Sequence, residues 1–164
     1  MVLMDEAVKA VVIGIGATVV MDVWSILLRI FKIPTLDYAL VGRWAGHVCR
    51  GRFAHTSIAK SAPVQGETPL GWGIHYAVGI VFAALFVGIQ GVAWMHFPTW
   101  WPAVAFGMAT VVMSLFVMQP AMGAGFAASR TPTPLRNCLR SLLTHAVFGG
   151  GLYLSAALLN YAGV

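Results

Sequence analysis

Charged residues are scarce: only 9% of the 164 residues are Asp, Glu, Lys or Arg, where an ordinary soluble domain carries roughly 25%. A chain this short needs charged side chains to cover a water-facing surface, so a soluble globular fold is excluded. The hydrophobic content of 59% and the mean hydropathy of +0.83 exclude disorder as well. Cysteine is scarce too. Cys49 and Cys138 lie far apart and form no CxxC pair, which supports neither a disulfide framework nor a cysteine-based zinc module. Acid is rarer than base, with five Asp and Glu against ten Lys and Arg. In so apolar a chain that excess reads as membrane topology, and no nucleic-acid partner is expected. Strings of the Walker, HExxH and GxSxG types are absent.

Long apolar runs are what the sequence has in abundance. Four of them, at 10–28, 74–95, 101–118 and 142–159, approach the ~20 residues that a helix needs to cross a bilayer. They are continuous rather than alternating, and four strands would not close a barrel. The expected fold is therefore all-α, a four-helix transmembrane bundle forming a single domain over 1–164. The N-terminal flank carries Asp5 and Glu6 rather than a basic region, which argues against a cleaved signal peptide. Nine of the ten basic residues fall in the segments 29–73 and 119–141. The positive-inside rule makes those segments cytoplasmic and leaves both termini outside, with Trp94, Trp100 and Trp101 at the outer interface.

The first cytoplasmic segment predicts an interfacial amphipathic helix between spans one and two. Thr35 is its expected N-cap; Leu40, Val41, Trp44 and Val48 share one side and Arg43, His47 and Arg50 another. That basic face is expected to meet anionic phospholipid headgroups. The stretch Ser61–Gly71, rich in Pro and Gly, reads as a loop. His47 and His55 match no zinc spacing and read as facing headgroups. Pro120 is expected to end span three.

Each span carries a stripe of small or polar residues: Gly14, Thr18, Asp22 and Ser25; His75, Gly79 and Ala83; Gly107, Thr110 and Ser114; His145 and Gly149. Such stripes let helices approach closely in lipid, so the four are expected to face one another. Asp22 stands out, because an ionisable group inside a span is expensive and marks a functional site by default. Asp22, His75, Gln119 and His145 all fall toward the cytoplasmic side and define a candidate ligand or proton site. His75 and His145 are also candidate metal or haem ligands. The small-residue segment from Gly123 to Pro132 offers backbone N–H groups for an anion nest. Arg130, Arg136 and Arg140, with Arg52, Arg43, Arg50 and His47, are the candidate phosphate ligands.

Five strings carry a resemblance: Gly42–His47, Gly51–His55, Gly71–Tyr76, Met118–Pro120 running on through Ala127–Pro132, and His145 through Gly149–Leu154. Along nearly its whole length the chain resembles an uncharacterised bacterial family of small four-span membrane proteins, classed only as a domain of unknown function. The resemblance implies a bacterial inner-membrane location and carries over no catalytic residue. Four readings stay open. One is binding or transport of a small cation, metal or proton-coupled ligand, which for anything sizeable implies a homodimer, since four helices make a narrow bundle. The others are an enzyme acting on a lipid or isoprenoid phosphate, a structural or assembly subunit, and a b-type haem protein.

Overall fold

The structure is a computed structural model that describes residues 2–163, with side chains from residue 6 onward. The side chain of Asp5, part of the acidic flank, lies outside the described residues. Among these residues every regular element is helical. The elements are α1 (Val2–Ile30), α2 (Tyr38–Val48), α3 (Glu67–Gln90), α4 (Ala93–His96), α5 (Trp100–Met113), α6 (Gln119–Met122) and α7 (Pro134–Tyr161). A five-residue π-helical stretch, Ser114–Met118, joins α5 to α6. Four stretches are long and apolar enough to cross a membrane: Glu6–Ile30, Glu67–Gln90, Trp100–Met122 and Pro134–Tyr161. The all-α, four-span class read from the apolar runs is the one observed.

Boundaries moved where local capping outweighs hydropathy. α3 starts at Glu67, so the last five residues of the expected loop are helical. The Glu67 carboxylate accepts from the Val64 N–H at 2.9 Å, and Pro69 falls in the first turn, where a missing donor costs nothing. The same helix stops at Gln90 rather than Met95, because Gly91 turns left-handed at φ 83°. Pro120 does not end span three. The wider π turn just before it relieves the clash that a proline ring makes with the preceding turn, and the helix runs on to Met122. Gly123, at φ 98°, then closes it: its N–H reaches Pro120 O at 3.1 Å and that of Ala124 reaches Gln119 O at 2.8 Å, the pairing that ends helices on a glycine. Span four begins at Pro134, eight residues early, with proline where the first helical position favours it. The cap of α2 is Asp37, not Thr35; its carboxylate accepts from the Ala39 N–H at 3.0 Å.

Packing divides the chain into two compact units. The bundle unit comprises Met1–Pro34, Tyr76–Thr110 and Leu143–Val164; the loop unit comprises Thr35–His75 and Val111–Leu142. In the bundle unit the small-residue stripes do face one another. Gly14 lies against Gly79 and Ile80, Gly151 against Ala17, and Gly107 against Gly149. These approaches let dispersion replace the hydrophobic drive that lipid removes. Phe82, Phe86, Phe106 and Phe148 fill the space between the stripes, with Phe86 fully buried against Trp94.

Within the loop unit, α2 packs on the first turns of α3 through Gly42 and Gly71. A methyl at either would coincide with main chain of the partner, Glu67 O or Tyr38 O. Arg43 closes the same junction with a bidentate pair to Glu67, Nε to Oε2 at 2.9 Å and Nη2 to Oε1 at 2.7 Å. Its Nη1 also donates to the Ala59 and Ser61 carbonyls. The Glu67 carboxylate holds the Arg43 guanidinium above its ordinary range.

Candidate functional site

The loop unit holds a half-open cavity of about 440 Å³. Its construction starts at the end of α2. Gly51, left-handed at φ 79°, reverses the chain while the N–H groups of Arg50 and Arg52 both bond to His47 O at 3.0 Å. The reversal brings His55 back over His47. The rings meet edge-on at 5.0 Å and 78°, and both residues are buried, His55 to 5% exposure. The His55 N–H donates to Ala121 O at 2.9 Å, which pins this segment to α6. Gly123 makes this close approach feasible, since a side chain there would strike the Thr56 carbonyl.

His47 and His55 differ in what their rings touch. His47 Nε2 is 2.9 Å from Ala62 O; a carbonyl only accepts, so Nε2 carries the hydrogen. His55 has no hydrogen-bond partner in the protein at either Nδ1 or Nε2, and it lines the cavity. Burial, then the charge of Arg52, then that of His47 lower the His55 pKa from its ordinary value, against a smaller opposing contribution from the Ala121 hydrogen bond. The imidazole is therefore neutral at pH 7, with one N–H to give and one lone pair to take.

The opposite wall is the segment after α6, which contributes Ser129 and Arg130. Ala127 at φ 48° and Ala128 at φ 58° occupy the left-handed region in succession, where a residue other than glycine costs about 1–3 kcal/mol. Side chains hold them there. Cys138 Sγ donates to Ala127 O at 3.1 Å, Thr131 Oγ1 donates to Ala128 O at 2.7 Å, and Asn137 Nδ2 donates to Thr131 Oγ1 at 2.9 Å. The N–H groups of Gly123, Ala124, Ser129 and Arg130 are taken by main-chain carbonyls, so these four are not donors of the anion nest expected from the backbone.

Of the candidate phosphate ligands, Arg130 lines the cavity and Arg52 acts on it through its charge. Arg43 is committed to Glu67 and His47 is buried, so neither lies on an open basic face as the amphipathic pattern suggested. Arg50 sits exposed past the end of α2, Arg136 is exposed on α7, and Arg140 is half-buried on α7. Gln119 is half-buried with Oε1 unpartnered. His75 stacks on Tyr38 at 4.1 Å, with Trp72 at 5.9 Å. Asp22 and His145 belong to the bundle unit: Tyr76 OH donates to Asp22 Oδ2 at 2.8 Å, and Thr110 Oγ1 lies 2.8 Å from His145 Nδ1. The Thr110 hydroxyl is also 2.6 Å from Gly107 O. Its single hydrogen goes to that carbonyl, so His145 Nδ1 is the donor in the other contact.

Among the described residues no group of three or more His, Cys, Asp or Glu is placed to hold a metal ion. The residue that sequence reasoning missed is His55. Its signal was Gly51, the left-handed glycine three residues beyond the helix end, which converts a spacing of eight into a ring contact. No curated protein and no solved structure matches the chain. The profile of one family covers residues 11–159, and the chain belongs to that family, described as Protein of unknown function (DUF2938).

Proposed function

We propose that this four-span protein binds an anionic group of the phosphate or carboxylate class in the loop-unit cavity, held by His55, Ser129 and Arg130. The observation that carries the reading is His55, a buried imidazole with neither ring nitrogen bonded to protein, facing a cavity that also holds a guanidinium and a hydroxyl. Leaving a buried donor unpaired costs about 1–3 kcal/mol, and an oxyanion shared with Arg130 offsets that cost by accepting the His55 ring N–H. Arg130 supplies fork geometry, Ser129 a third donor, and the strained Ala127–Ala128 turn fixes where both sit. Titration calorimetry of the detergent-purified protein with inorganic phosphate and with acetate tests the reading. Binding should weaken about tenfold in His55→Gln and in Arg130→Gln, the effect of one charge-assisted hydrogen bond. Equal binding in all three proteins would end it.

A second reading has one observation of its own, the Asp22 carboxylate within α1 with the Tyr76 phenol on it. A carboxylate inside a span suits uptake of a proton or small cation. Asp22→Asn preserves the shape and the hydrogen-bond acceptor, so it should leave folding nearly intact while removing one carboxyl component from the pH-dependent infrared difference spectrum. A spectrum unchanged by the substitution would remove this reading.

A further inference from the structure

The walls of the cavity divide by chemistry. His55, Thr56, Ser129 and Arg130 make it polar and basic, no acidic residue lines it, and Ala54, Pro120 and Phe126, with Gly125, make the rest apolar. Phe126 is 63% exposed. Phe53, the neighbour of Ala54, is exposed and meets Trp44 edge-on at 5.4 Å, while Trp44 Nε1 donates to the Phe53 carbonyl at 2.7 Å. An aromatic pair with one apolar side and one hydrogen-bonded tip suits a membrane–water interface.

The neighbouring helices locate the cavity in depth. Val112 and Phe116 expose apolar side chains on the third span, and Pro120, four residues further, lines the cavity. On α7, Leu135 and Leu139 share a face at 74% and 51% exposure, starting five residues after Arg130. Exposed residues of this kind on spanning helices belong against lipid tails. At about 1.5 Å per residue, the Phe116–Pro120 step is about 6 Å. Pro120, at the cavity, thus lies about one helical turn along the third span from the exposed, apolar Phe116, a step that suits a headgroup held at the cavity with its chain on the apolar side.

Resting on the anion-site reading above, we propose that the occupant is an anionic phospholipid, whose phosphodiester meets His55, Ser129 and Arg130 and whose acyl chain leaves over Phe126 and Pro120. A soluble phosphate satisfies the same polar groups and leaves the apolar wall unused. The lipid satisfies both. Arg52 and Arg130 set the preference for net negative charge, and the open side of the cavity gives the chain its exit.

The test is native mass spectrometry of the full-length protein in detergent, incubated separately with dioleoyl phosphatidylglycerol, dioleoylglycerol and glycerol 3-phosphate. Wild type should retain one phosphatidylglycerol at least about tenfold more tightly than either other probe. His55→Gln and Arg130→Gln should each lose about tenfold, as expected for one charge-assisted hydrogen bond, with Lys60→Gln unchanged. Arg130→Lys, which keeps the charge on an exposed position, should recover part of that loss and guards against misfolding of His55→Gln. Glycerol 3-phosphate binding as tightly as the lipid, and still dependent on His55, would overturn the lipid and leave the anion site standing. Dioleoylglycerol binding as tightly as phosphatidylglycerol, or retention indifferent to both substitutions, would overturn both.

Discussion

At the scale of single residues, His55 sets the expected pH behaviour. Its folded-state pKa lies below the ordinary value, so on acidification the unfolded chain takes up a proton at about pH 6.5 while the folded protein does not. Stability from this group is therefore complete above that pH and is lost as pH falls toward the lowered folded value. The groups facing His55 are His47, Arg52 and the cavity's Arg130, all cationic or able to become so, and none reverses the sign. A bound anion does. It favours the imidazolium, so acid should destabilise the ligand-free protein more than the phosphate-loaded one. Thermal unfolding at about pH 7.5 and 5.5, with and without phosphate, measures this; a His55→Gln protein that keeps the same pH response would assign it elsewhere. This residue was only half legible. The string around it was distinctive, but a spacing of eight along a basic segment gives no contact until Gly51 folds it back.

At the scale of elements, glycines two positions apart on α3 make opposite predictions. Gly71 meets the Tyr38 carbonyl, while Gly73 meets nothing. Gly71→Ala must push α2 off α3 and should cost about 3 kcal/mol or more. Gly73→Ala only removes chain entropy from the unfolded state and should gain up to about 1 kcal/mol. Chemical denaturation of the two variants in detergent checks the pair; equal shifts would mean that α2 is not seated as described. The apolar runs made four spans readable, because lipid demands length and hydropathy and the sequence states both. The helix ends were less readable. Glu67 and Gly123 set ends through hydrogen bonds, Gly91 through a left-handed turn and Pro134 through its fixed φ, while the Ser114–Met118 π turn carries span three past Pro120; hydropathy registers none of these.

At the scale of the whole molecule, orientation is the open claim with the clearest test. Nine of ten basic residues fall in 29–73 and 119–141, so the positive-inside rule predicts a cytoplasmic side for those segments. Cys49 is exposed in the first of them. In a Cys138→Ser background, a membrane-impermeant maleimide should label Cys49 only after permeabilisation, and an added Thr99→Cys before it. The reverse pattern would invert the topology. Composition by itself determined the class: too few charges for a water-facing surface and enough apolar length for four crossings leave helices in lipid as the physical solution. The small-residue stripes determined which faces of Gly14, Gly79, Gly107 and Gly149 would meet. Tertiary structure alone decided the site. Which arginines are committed and which are available depends on a partner far along the chain: Glu67 takes Arg43, while Arg130 is left at the cavity with a buried imidazole from a separate segment. Pairings of that kind are set by how the chain turns between helices, and a few strained or left-handed residues, not the hydrophobic pattern, set those turns.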